Sequence, residues 1–177
     1  TVAIEVGIVL SAMLFMRRMA AVTNVGVISR ELDDRVEPEE TGANSIQGKN
    51  IPKGVLIFEI DGPFFFGAAS KFKDAIRFVG KTTKVLILRL RKVPAIDSTG
   101  IATLEDFYYD CKKRNTVLIL SGLHAQPMFA CERAGLLDKI GEINIRGNID
   151  DGLNRAREIL GLPTEEITAE KESSVEK

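Results

Sequence analysis

Three short apolar runs constrain the fold more than any other feature: Val55 to Ile60 (VLIFEI), Lys84 to Leu90 (KVLILRL) and Thr116 to Leu120 (TVLIL). Runs of this length that stay apolar throughout suit strands covered on both faces. Amphipathic segments separate them. Ala69 to Val79 places Phe72, Ile76 and Val79 at helical spacing, with Lys71, Lys73, Asp74 and Arg77 off that stripe. Ile101 to Lys113 places Ile101, Leu104, Tyr108 and Cys111 together and ends in CKKR, where cations suit the helix dipole. Pro127 to Ala134 reads as a short helix closed by Gly135, and Ile143 to Ile145 as a brief strand. Ile149 to Leu160 closes the domain as a helix buried through Leu153, Ala156, Ile159 and Leu160, with Asp150 and Asp151 near its start. Strands and helices alternating with such short connections imply an α/β fold with a central, largely parallel sheet built by right-handed crossovers. Helices on one face or on both satisfy the pattern.

The chain of 177 residues holds one domain with a proper core and some peripheral sequence. Its 24 Lys and Arg balance 25 Asp and Glu, so no global field argues for nucleic acid as a partner. Cys111 and Cys131 form no close-spaced pair and lie among apolar helical neighbours, as reduced core thiols do. His124 is the single histidine, which removes most histidine-based general-base schemes and leaves no metal site to expect.

Outside this body the character changes twice. Thr1 to Met16 is apolar apart from Glu5 and two small polar residues, and Arg17 and Arg18 follow at once. Cations directly after an apolar segment mark the cytoplasmic end of a spanning helix, so residues 1–20 are expected to be the truncated end of a transmembrane helix. Residues 21–53 are expected to hold a short edge strand, Asn24 to Ile28, and a charged linker from Ser29 to Lys53. Residues 54–160 form the globular domain, and 161–177 an acidic, disordered tail that breaks at Gly161 and Pro163.

In a sheet of this type the functional rim gathers at the carboxyl ends of the strands. Three loops reach it: Asp61 to Gly67, Pro94 to Gly100 and Ser121 to Gln126. The middle one carries Asp97-Ser98-Thr99-Gly100 at a strand-to-helix junction, where backbone N–H groups lack intrahelical partners. The cluster suits a helix cap first, and a phosphate on Ser98 is the second reading. Phe64, Phe65 and Phe66 follow a Gly-Pro turn, and three aromatics there cannot all face one core; inward Phe64 and Phe66 with Phe65 at the edge is one arrangement. Arg89, Arg91 and Lys92 are either solvated charge or cations that draw an acidic partner towards Ser98. No P-loop, GxGxxG, HExxH or GxSxG pattern occurs, and Asp97, Ser98 and His124 make a poor triad because adjacent Asp97 and Ser98 cannot flank the histidine in relay order.

Gly54 to Gly67 (GVLIFEIDGPFFFG), then Arg89 through Pro94-Ala95-Ile96-Asp97-Ser98-Thr99-Gly100, then Glu132 to Leu136 (ERAGL), resemble the STAS domain at the C-terminus of SulP-family anion transporters. The opening EVGIVLSAMLFMRRM resembles the last membrane helix of such a permease. The resemblance implies a four- to five-stranded mixed sheet with helices mainly on one face and Asn24 to Ile28 as an antiparallel edge strand. It implies a domain without catalytic or metal site and without cofactor, which regulates a transporter of sulfate, bicarbonate or dicarboxylate. Its partners would be the membrane domain of the same polypeptide, a regulatory protein, or a second copy. The parent would lie in the cell inner membrane with this domain on the cytoplasmic side. Ser98 matches the family phospho-acceptor, with Asp97, Thr99 and Gly100 around it, and Phe65, Arg91, Lys92 and His124 are the candidates for an interaction rim. A stand-alone anti-sigma factor antagonist, switched by serine phosphorylation, is the alternative the same motif allows; a small enzyme or nucleotide-binding protein is a third.

Overall fold

The computed structural model describes residues 2–27, 49–76 and 82–165. Most of the charged linker, Ile28 of the edge strand, the end of the first amphipathic segment with Arg77 and Val79, and most of the acidic tail lie outside the described residues.

Helix α1 (Val2–Val22) comes first, followed by β1 (Asn24–Val27), β2 (Val55–Asp61), α2 (Phe66–Ala75), β3 (Val85–Lys92), α3 (Ser98–Lys113) and β4 (Val117–Ser121). The chain continues through α4 (Ala125–Arg133), α5 (Leu136–Ile140), β5 (Ile145–Arg146) and α6 (Ile149–Leu160). The five strands form one sheet in the order β1-β2-β3-β4-β5. β1 runs antiparallel to β2, and the other neighbours are parallel. The parallel strands are those that the strand and helix periods imply, and the mixed sheet with an antiparallel edge strand is the one that the resemblance to the STAS domain implies.

Alternation along the strands sorts the apolar runs onto two faces. Phe58 and Ile60, Leu86, Leu88 and Leu90, and Leu118 and Leu120 pack under α2, α3, α4 and α5, against Phe72, Leu104, Phe107, Cys131 and Leu136. On the other face Val55, Ile57, Val85, Ile87 and Ile119 are covered by Ile149, Leu153 and Ala156 of α6. Four helices therefore lie on one face and one on the other, which is why the strands read as apolar throughout. Each large side chain so buried contributes about 1.5–3 kcal/mol. Phe72 is the keystone of the larger core, with ring centroids of Phe64 at 5.6 Å and Phe107 at 5.0 Å, both edge-on.

Local chemistry moves several boundaries. α3 begins at Ser98, three residues ahead of its apolar stripe, because Asp97 caps it. Gly135, with φ +67°, ends α4 and at once opens α5, a turn of helix the sequence pattern did not reveal. α2 starts at Phe66 rather than Ala69. The brief last strand sits at Ile145–Arg146, after a 3-10 turn over Glu142–Asn144.

The apolar side chains of α1 are exposed from Val2 to Phe15. Among the described residues no helix is long and apolar enough to cross a membrane.

Candidate functional site

The rim at the carboxyl ends of β2, β3 and β4 is a backbone lattice in which the three loops hold one another. Phe64 N–H donates to Ala95 O at 2.9 Å, Gly62 N–H to Lys92 O at 3.0 Å, and Asp97 N–H reaches Phe64 O at 3.5 Å. Phe64 and Ile96 form an isolated parallel bridge that extends β2 and β3 past their ends. From the third loop, Gln126 closes the lattice: its Oε1 accepts from Ile96 N–H at 2.9 Å and its Nε2 donates to Ile96 O at 3.1 Å. Nothing in the local sequence singles out Gln126, because a lone amide carries no pattern of its own.

On this platform the Asp97 cluster takes a defined form. Asp97 is the N-cap of α3, in extended backbone, and its Oδ1 accepts from Gly100 N–H at 2.7 Å. Ser98 occupies the first helical position and is exposed, while Thr99 is half-buried and its carbonyl accepts from Thr103 Oγ1 at 2.8 Å. Gly100 is buried because the loop of Phe64 lies against it: a β-carbon there would collide with the Phe64 carbonyl oxygen and stand 2.7 Å from Ile96 Cγ1. The cap and the accessible hydroxyl therefore coexist. The carboxylate serves the helix, and the Ser98 side chain points its chemistry outward, at the positive end of the α3 dipole.

The remaining candidates divide. His124, the N-cap residue of α4, makes a hydrogen bond through Nε2 with the Arg91 carbonyl oxygen, so it ties the third loop to β3. With Asp97 engaged at Gly100 and His124 at Arg91, the structure does not assemble them with Ser98 into a relay. Arg91 is exposed, and Lys92 approaches Asp61 Oδ2 at 3.7 Å. Arg89 does not join them as surface charge. It is buried, and its Nη1 donates to Glu59 Oε1 at 2.8 Å across β2 and β3, on the α6 side of the sheet. Of the three phenylalanines Phe64 is fully buried and Phe65 is half-buried at the N-cap of α2, whereas Phe66 is 72% exposed. The arrangement with Phe66 inward is thus not taken, because α2 begins at that residue and turns its side chain away from the sheet. Phe65, singled out as the edge aromatic, is only partly accessible.

Among the described residues no three His, Cys, Asp or Glu side chains come together as metal ligands.

This geometry has close counterparts. The family model of the STAS domain matches residues 49–152. The putative sulfate transporter YvdB of Bacillus subtilis (strain 168) is 29% identical over 142 residues, which is 80% of this chain and 24% of that protein. A sulfate transporter family protein from Wolinella succinogenes, whose structure is solved, is 40% identical with a TM-score of 0.63, covering 67% of this chain and 97% of the other. The STAS domain of a SulP transporter from Vibrio cholerae is 31% identical with a TM-score of 0.56, covering 63% of this chain and 88% of the other. The chain spans about a quarter of the length of YvdB. With a family model over most of the chain and a solved relative matched nearly end to end, this chain belongs to the STAS domain family.

Proposed function

We propose that this chain is the cytoplasmic STAS domain of a SulP-type secondary anion transporter, joined through α1 to the membrane part of the same polypeptide, and that it regulates transport without catalysing a reaction. The observation that carries the reading is the match to proteins named as sulfate transporters, one of them over 80% of this chain, together with the exposed apolar surface of α1. An apolar helix surface of that extent needs a nonpolar environment or a partner. The parent protein would sit in the cell inner membrane and carry sulfate or a related anion. The stand-alone antagonist fits less well, since such a protein has no use for α1.

In this reading the rim is the regulatory surface and Ser98 its modification site. A phosphate there brings close to two negative charges beside Asp97, which the α3 N-terminus offsets in part. Arg91 and Lys92 end β3 and His124 caps α4 on the same rim. The change falls on surface complementarity, because Asp97 and not Ser98 caps the helix. The test is anion uptake by the full-length transporter in proteoliposomes, with Ser98→Asp and Ser98→Ala compared. A several-fold difference between the two, at equal thermal stability, supports a switch. Equal uptake removes Ser98 from regulation and leaves the cluster as a helix start.

A further inference from the structure

A polar row crosses the sheet beneath α6, at the carboxyl ends of four adjacent strands. Glu59 of β2 pairs in register with Arg89 of β3, Arg89 with Ser121 of β4, and Ser121 with Arg146 of β5. Residues opposite one another in a ladder point to the same face. That face is the one α6 covers, because Ile87 and Ile119, two residues before Arg89 and Ser121, pack against Ile149, Leu153 and Ala156. α3, which Ser98 opens, packs on the opposite face.

The two halves of the row differ in how they are satisfied. Arg89 Nη1 donates to Glu59 Oε1 at 2.8 Å, so those two charges balance. Ser121 Oγ and Arg146 Nε are both buried without a hydrogen bond, and among the described residues they are the two buried side-chain polar atoms in that condition. Such groups are rare, since each has given up water for nothing. Here the two are cross-strand neighbours. Ser121 is 1% exposed, while Arg146 is half-buried and pairs with no carboxylate among the described residues. Of the two carboxylates in the first turn of α6, Asp150 is taken by Lys49, and Asp151 forms no ion pair with Arg146.

Two buried donors side by side call for an acceptor, and an unanswered cation calls for an anion. Water would satisfy the donors and leave the charge unbalanced. The guanidinium adds a demand of shape, because Nε–H and one Nη–H form a fork that matches two oxygens of one oxyanion. Neighbouring strands lie about 4.8 Å apart, so one small molecule spans both residues. Over them stands the first turn of α6, whose positive end favours negative charge. Gly152 of that helix puts no side chain over Ser121, from whose Cβ a β-carbon there would lie 3.9 Å. A β-carbon on Gly147, between β5 and α6, would meet no atom within 4 Å, so that turn does not close off Arg146. We propose that Ser121 and Arg146 bind a small oxyanion of the sulfate, phosphate or bicarbonate type, to which the Ser121 hydroxyl and the Arg146 fork donate. The site is separate from the Ser98 rim and does not depend on the reading of α1 as a membrane helix.

The test is a titration of the full chain, held in a nonionic detergent, with sodium sulfate balanced against sodium chloride to constant ionic strength. It is followed by the proton–nitrogen NMR signals of the Arg146 Nε–H and the Ser121 amide. Saturable shifts of both are expected in the parent. In Ser121→Ala and in Arg146→Gln the affinity should weaken about tenfold or more, the scale of one hydrogen bond to a charged group. Ser121→Ala should fold as the parent does, since the hydroxyl it loses has no partner. Shifts that do not saturate, or that persist unchanged in both variants, mean a general salt effect and overturn the proposal. Saturation by sodium chloride alone, at concentrations as low as those of sulfate, means a single-atom site and overturns the oxyanion assignment. No shift at any concentration leaves the two donors to water and overturns it as well.

Discussion

The carbonyl oxygen of Phe64 occupies the space that a β-carbon on Gly100 would require. The first turn of α3, with Ser98 on it, is thereby pressed onto the loop whose preceding residue, Pro63, accepts the hydrogen bond of Thr23. Two consecutive residues separate the start of α3 from the root of α1.

Gly100→Ala tests this close approach. Alanine is the better helix former by about 1 kcal/mol, so an open site would gain stability. Here overpacking against backbone wins, and a net loss of about 1–3 kcal/mol is expected, read as a lower urea midpoint. A variant as stable as the parent would show that the loop of Phe64 does not bear on α3.

Gln126→Ala removes both hydrogen bonds to Ile96 and leaves its half-buried backbone groups short of partners. A loss of about 1–3 kcal/mol is expected in chemical denaturation. Gln126→Glu should do no better, because a carboxylate can accept from Ile96 N–H but cannot donate to Ile96 O. Recovery of full stability by the glutamate would mean that only one of the two bonds matters.

Two cations of one strand should differ sharply. Arg89 is buried against Glu59, and its replacement by alanine removes the 2.8 Å ion pair of that largely buried carboxylate, at a cost of about 3–5 kcal/mol. Lys92 meets Asp61 at the surface, and Lys92→Ala should cost less than about 1 kcal/mol. Equal melting temperatures for the two variants would contradict the burial of Arg89.

Burial pushes the Cys111 thiol up to about 12 and the Cys131 thiol up to about 11, from an ordinary value of 9.0. At Cys111 the neighbouring Arg114 opposes the shift and Asp110 adds to it. The unfolded thiols ionise above pH 9 while the folded ones stay protonated. Their contribution is thus complete below that pH and is lost as pH rises towards 11 and 12. The urea midpoint should fall above pH 9, less so in the double variant Cys111→Ser, Cys131→Ser. At pH 9 iodoacetamide should label the folded chain far more slowly than the chain in urea; equal rates would mean that the thiols are accessible.

Periodicity made much of this protein legible. The runs at Val55, Lys84 and Thr116 read as strands because both sheet faces are covered, and α6 spans Ile149 to Leu160 as its apolar stripe implies, buried through Leu153 and Ala156. Short connections then leave a parallel order as the economical topology, and Asp97 announces the start of α3 because capping is local chemistry. These features depend on residues within a few positions of each other, so they are written in one dimension.

The partners that assemble the site come from far along the chain, and only folding brought them together. Gln126 reaches back thirty residues to Ile96, and Thr23 forward forty to Pro63. Arg89 looked like one of three surface cations until strand alternation turned it under the sheet to Glu59. Phe66, not Phe65, became the exposed aromatic because the register of α2 is set by its packing on β1 and α3, which no triplet of phenylalanines encodes. Spacing decides which face a residue occupies, but what waits on that face is decided by three-dimensional contacts, and those hold the rim together.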